Sequence, residues 1–80
     1  MATVFVVDDD ESVRDAVRCL LEAADFQVET FASGKEFLEV YDGEREGCLL
    51  LDFQMPEIDG LEVQQRLSDK GIHLPTIMVT

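Results

Sequence analysis

The run Leu49-Leu50-Leu51-Asp52 sets the terms for the whole chain. Three leucines following Cys48 read as a strand buried on both faces, the situation of a parallel sheet with helices on each side. A carboxylate is costly to desolvate, so Asp52 belongs where the strand ends and a polar site begins. Open parallel sheets place their ligand sites at that end of their strands. Asp52 is therefore the leading candidate for a reactive acid.

Thr3-Val4-Phe5-Val6-Val7 is β-branched and aromatic and reads as another strand. It meets Asp8-Asp9-Asp10-Glu11, which cannot continue a buried strand, so it stops near Asp8. Across residues 11–24, Val13, Ala16, Val17, Leu20, Leu21 and Ala24 recur at steps of three and four, one apolar face of a helix. The acids suit its positive N-terminal end, and Asp9 or Asp10 can cap it. Ser12-Val13-Arg14-Asp15 adds a weak capping pattern. Asp25 stands where the helix stops and tolerates a left-handed conformation.

Residues 26–31 alternate apolar and polar, a strand with one wetter side at a sheet edge. Ser33-Gly34-Lys35-Glu36 is a capping box that opens a short helix, with Phe37, Leu38 and Tyr41 on one face. Asp42-Gly43 ends that helix, and residues 44–47 form a charged loop. The strand over residues 48–52 follows. Residues 54–60 are a loop in which Pro56 biases Met55 away from helix. Residues 61–70 read as a helix with Leu61, Val63 and Leu67 apolar and Gly71 as its stop. Residues 74–80 begin a fourth strand.

The order βαβαβαβ calls for an α/β fold with a doubly wound parallel sheet and right-handed crossovers. Eighty residues make one small domain, which buries only about 60% of its unfolded surface. The apolar fourth strand would need a cover at its edge. Residues 1–80 are thus expected to be one domain, incomplete at its C-terminal end.

A net charge of −12, from 18 acids and 6 bases, argues against direct nucleic-acid binding by this segment and against an anionic membrane surface. No 18-residue apolar span and no signal peptide is present, which makes cytoplasmic residence the default. Cys19 and Cys48 lack Cys-x-x-Cys spacing and are expected to be buried and reduced. His73 reads as a surface residue. Met55 and Met78 read as core fillers.

In a parallel sheet every strand ends on the same side. Asp8 and Asp9 end the first strand, Asp52 the third and Thr80 the fourth, so they can share a pocket if the first and third strands are neighbours. Two carboxylates about 4 Å apart repel by roughly 4 kcal/mol at an effective dielectric near 20. Such acids raise one another's pKa or recruit a cation. Mg²⁺, a hard ion that takes oxygen ligands and keeps several waters, fits best. The site could neutralise a phosphoryl group while one carboxylate attacks it, giving an aspartyl-phosphate. The Thr80 hydroxyl could bond a phosphoryl oxygen.

Three segments carry a resemblance: Val4 through Arg14 with its acidic run, Leu49 through Gly60 with Asp52 followed by Met55-Pro56, and Pro75 through Thr80. Together they resemble the receiver domain of two-component response regulators, most closely the branch that controls transcription through an appended helix-turn-helix domain. The resemblance spans the chain. It implies the flavodoxin-like fold, with strand order 2-1-3-4 within a (βα)5 receiver. It implies that Asp52 accepts a phosphoryl group from the phosphohistidine of a sensor histidine kinase. Asp9 would ligate Mg²⁺ directly, Asp8 would assist, Gln54 would offer its backbone carbonyl to the metal, and Thr80 would be the switch hydroxyl. Gly60 would allow tight backbone geometry before the third helix.

The family also has a fourth helix, a fifth strand with a Lys and a switch aromatic, and a fifth helix, none of which these residues supply. Their face carries dimerisation and output. A self-phosphorylating switch is expected, with no turnover of an external substrate. A Mg²⁺-dependent phosphotransferase would want a second acid where Gln54 stands. A degenerate receiver that only docks partners is the other alternative, and the presence of Asp8, Asp9, Asp52 and Thr80 speaks against it.

Overall fold

The computed structural model describes residues 2–79. Alternating strands and helices follow one another: β1 (Thr3–Val7), α1 (Glu11–Ala23), β2 (Gln27–Phe31), α2 (Gly34–Val40), β3 (Gly47–Asp52), α3 (Gly60–Asp69) and β4 (Thr76–Val79). All strand pairs are parallel, in the order β2-β1-β3-β4. This is the expected flavodoxin-like sheet. β1 and β3 lie side by side with Val7 paired to Leu51, which brings their C-terminal ends together.

Strand alternation assigns the two faces. Phe5, Val7, Leu49 and Leu51 point to one side, where they meet Phe37 and Tyr41 around α2 and Val63 and Leu67 of α3 in a buried cluster. Phe5 lies 5.7 Å from Phe37 and 5.2 Å from Tyr41, ring centre to ring centre. The Arg45 guanidinium sits 5.1 Å above the Phe5 ring and also pairs with Glu29. The Tyr41 hydroxyl donates to the Arg45 carbonyl at 3.0 Å. Gly47, at the start of β3, lies opposite Thr3, and any Cβ there would collide with the Thr3 carbonyl oxygen.

The other face carries α1, which packs along β1 and β2. Of the apolar stripe expected on α1 only Val17 and Leu21 are half-buried; no residue of the helix is buried, and Leu20 is 73% exposed. A helix about 10 Å across covers about two strands spaced near 4.8 Å. Beyond its width Ile77 and Val79 of β4 stand 58% and 49% exposed.

Local details differ from the sequence reading in instructive ways. Asp10, not Ser12, caps α1, accepting from the amides of Ser12 and Val13. Asp25 adopts φ 70°, the left-handed stop expected of it. Ser33 caps α2 through the Glu36 amide. The third helix begins one residue early, at Gly60, with Asp59 as its cap on the Glu62 amide. Leu61 is exposed on that helix rather than part of its apolar face, because Val63 and Leu67 alone point at the sheet. Cys19 is exposed, against expectation, since it lies on the outer side of α1; Cys48 is half-buried. His73 is exposed, and Met55 and Met78 pack against the core from its margin.

Candidate functional site

The three acids picked from distant parts of the chain meet. Asp8, Asp9 and Asp52 each offer a carboxylate oxygen, and these three oxygens lie within 4.8 Å of one another. Asp8 and Asp52 are half-buried and Asp9 is exposed. The backbone explains the meeting: β1 ends at Val7 and β3 at Asp52, on neighbouring strands that run the same way.

Two of the three carboxylates are held in the same manner. Oδ1 of Asp8 accepts from the Asp10 amide at 2.9 Å, and Oδ1 of Asp52 from the Gln54 amide at 3.1 Å. Each is a carboxylate bonded to the amide two residues on, a local turn that Asp favours. In each acid the Oδ1 oxygen is the one engaged by the turn.

Burial pushes the Asp52 carboxyl above its ordinary pKa; the Gln54 amide opposes this, and the charges of Asp8 and Asp9 add to it. A cavity of about 50 Å³ adjoins the site, lined by Asp8 and Asp52 together with Val6, Val7, Val13, Val17, Val79 and Leu50. Carboxylates at this range repel by about 1 kcal/mol per pair in water and about 3–4 kcal/mol at an effective dielectric near 20, and the exposure of Asp9 puts this site toward the aqueous end. A purely oxygen, purely anionic donor set of this kind fits Mg²⁺ and suits a soft metal poorly. The residues present therefore fit the ion the resemblance implies.

Gln54 is exposed on the loop after β3. Gly60 sits against that loop: its amide donates to the Phe53 carbonyl at 3.0 Å, and a Cβ on it would stand 2.9 Å from the Asp52 carbonyl oxygen and 2.6 Å from Met78 Sδ. The tight geometry expected at Gly60 is thus present. Thr80 lies outside the described residues. Asp10 is drawn off to cap α1, which separates it from the acids of the pocket.

Arg14 is the neighbour that pattern reading missed. Its Nη1 donates to the carbonyl oxygen of Asp8 at 2.8 Å. The signal lay in its position: a cation near the positive end of a helix runs against the dipole and calls for a separate reason. Glu57, at φ 71°, is a second unforeseen feature, in the loop that leads to Asp59.

Comparison with known proteins gives a consistent result. Residues 4–80 match the family described as the response regulator receiver domain. The transcriptional regulatory protein TdiR of Thauera aromatica is 44% identical over 79 residues, covering 99% of this chain and 35% of that protein. The structure of the response regulator StyR superposes with a TM-score of 0.94 at 47% identity, over 96% of this chain and 39% of that one. The structure of TrrA from Thermotoga maritima, in complex with Mg(2+)-BeF, superposes with a TM-score of 0.87 at 28% identity, over 98% of this chain and 68% of that one. The chain therefore spans little more than a third of the length of TdiR.

Proposed function

Because this chain belongs to the response regulator receiver domains of two-component systems, we propose that it is a phosphorylation switch with Asp52 as the phosphoacceptor. The single observation that carries the reading is the convergence of Asp8, Asp9 and Asp52 within 4.8 Å at adjoining strand ends. The receptor role falls to Asp52 for a physical reason. It is the acid at the end of the buried strand, half-buried, with one oxygen held by the Gln54 amide. An oriented, partly desolvated carboxylate is a competent nucleophile.

In the proposed reaction a carboxylate oxygen of Asp52 attacks the phosphorus of a phosphohistidine on a partner kinase. The phosphorus–nitrogen bond breaks, and the leaving imidazole takes a proton. Asp9 and Asp8 would hold Mg²⁺ beside Asp52, with the backbone carbonyl of Gln54 as a further ligand. When bound, that ion supplies positive charge against the oxygens of the phosphoryl group. The structure of TrrA in complex with Mg(2+)-BeF supports placing Mg²⁺ in the reading of this chain. Thr80 would turn its hydroxyl toward the phosphoryl oxygens. No turnover of an external substrate is proposed, since Gln54 offers no second acid for a leaving group.

The partners proposed are a sensor histidine kinase, as membership of the receiver family implies, and an output that controls transcription, as the names of the relatives TdiR and FixJ describe for those proteins. The test is labelling with acetyl phosphate in the intact protein. Wild type should be labelled only with Mg²⁺, and Asp52→Asn should not be labelled. Label that persists in that variant would sink the assignment.

A further inference from the structure

Arg14 has an unusual partner. Among the described residues, Arg18, Arg45 and Arg66 each pair with a glutamate, whereas Arg14 donates to a backbone carbonyl, that of Asp8, at 2.8 Å. The length is that of a charge-assisted bond. Arg14 is half-buried at the start of α1.

That carbonyl belongs to the peptide unit joining Asp8 to Asp9. The unit is planar, so fixing its oxygen fixes the orientation in which the chain leaves Asp8 and enters Asp9. The other polar groups of Asp8 are also engaged. Its amide donates to the Phe31 carbonyl at 3.1 Å, and its Oδ1 accepts from the Asp10 amide at 2.9 Å. Of these anchors, Arg14 is the only side chain reaching in from beyond the acidic run 8–11. Four successive acids repel one another and favour a splayed loop, and the guanidinium opposes that by clamping the peptide between the two acids of the pocket.

We propose that Arg14 is a positioning residue, which sets the direction in which Asp8 and Asp9 present their carboxylates to a divalent cation. This rests on the reading of the acids as a Mg²⁺ site. Two effects of removing Arg14 have opposite signs, which makes the idea testable. Loss of a nearby positive charge by itself strengthens cation binding. Loss of the clamp weakens it.

The experiment is a Mg²⁺ titration of the intact, unphosphorylated protein, followed through the amide chemical shifts of Asp9 and Asp52, with a urea midpoint measured alongside. Arg14→Ala should bind Mg²⁺ about 10–100-fold more weakly, the usual effect of losing an outer support of a ligand. Arg14→Lys, which keeps a donor and the charge, should recover most of that loss. Should Arg14→Ala fail to fold, Arg14→Met takes its place, keeping the apolar stem without any donor, and weaker binding than wild type is again expected. Equal or tighter binding in the folded neutral variant overturns the proposal. A wild type that shows no Mg²⁺-dependent shifts instead overturns the Mg²⁺ site itself, so the two failures are distinguishable.

Discussion

Gly60 and Asp52 are in contact through the backbone: a Cβ added to Gly60 would stand 2.9 Å from the Asp52 carbonyl oxygen. The first turn of α3 thus packs directly on the residue that bears the candidate acceptor. Gly60→Ala should destabilise the fold by about 1–3 kcal/mol, the ordinary range for overpacking. It should also shift the Asp52 and Gln54 amide resonances, because the Met78 thioether can swing aside but the Asp52 carbonyl is backbone and moves only with that loop. Unchanged resonances with unchanged stability would show that the contact is not tight.

Asp9 and Asp10 are adjacent and identical in type, yet only Asp10 caps α1 and only Asp9 shares the pocket. Their substitutions should therefore separate. Asp10→Ala should lower stability by about 1 kcal/mol while leaving Mg²⁺ affinity near that of wild type. Asp9→Asn should leave stability in place or raise it and weaken Mg²⁺ by at least the roughly 10–100-fold of an outer-shell loss. Urea unfolding and Mg²⁺ titration on both proteins would decide. The reverse pattern would exchange the two roles.

Asp52 is held above its ordinary pKa chiefly by burial, with Asp8 and Asp9 adding to the effect. The sign follows from linkage. A carboxyl whose folded pKa exceeds its unfolded value binds its proton more tightly in the native state, so its ionisation works against folding at neutral pH. Asp52→Asn should stabilise the protein at neutral pH without divalent cations by about 1 kcal/mol, the aqueous scale of one like-charge pair at short range. The gain should shrink as the pH falls through the folded pKa, where the wild-type carboxyl is itself neutral. A less stable Asp52→Asn at neutral pH falsifies this account.

Glu29 is displaced the other way. The hydrogen bond from Arg45 holds its carboxyl below the ordinary 4.5, against a smaller effect of burial. A depressed folded pKa contributes stability that is present above the unfolded value and lost as the pH falls through the folded one. Glu29→Gln should therefore show a flatter dependence of the urea midpoint on pH below about 4.5 than wild type. The difference should be modest, because the pair is more than a third exposed. Parallel pH profiles would mean that the pair contributes nothing.

The architecture was legible in the chain because β1 and β3 are short apolar runs that end on acids, with helical periodicity between the strands. Asp52 stood out by following three leucines, and its meeting with Asp8 and Asp9 followed once β1 and β3 were neighbours. Other features were hidden for definable reasons. Periodicity showed which side of α1 is apolar but not how much sheet one helix covers, so the exposure of Leu20 and Cys19 went unforeseen. Four consecutive acids look alike in a sequence, and only the helix start separates Asp10 from Asp9. Asp59-Gly60-Leu61-Glu62 holds a capping pattern that the preceding Pro56 obscured. Arg14 was hidden because its partner is a carbonyl, which no residue type advertises.

The tight fit of Gly47 against Thr3 reaches further than its own corner. Side chains on a strand alternate between faces, so a slip of one residue between β1 and β3 would turn Asp52 away from Asp8 and Asp9. A side chain at position 47 has no room while that strand alignment is kept. A glycine with no chemistry of its own, at the far end of the sheet, thereby helps fix which way Asp52 faces. Larger residues at 47 should therefore lower the proposed labelling of Asp52 by acetyl phosphate, although no acid of the pocket is substituted.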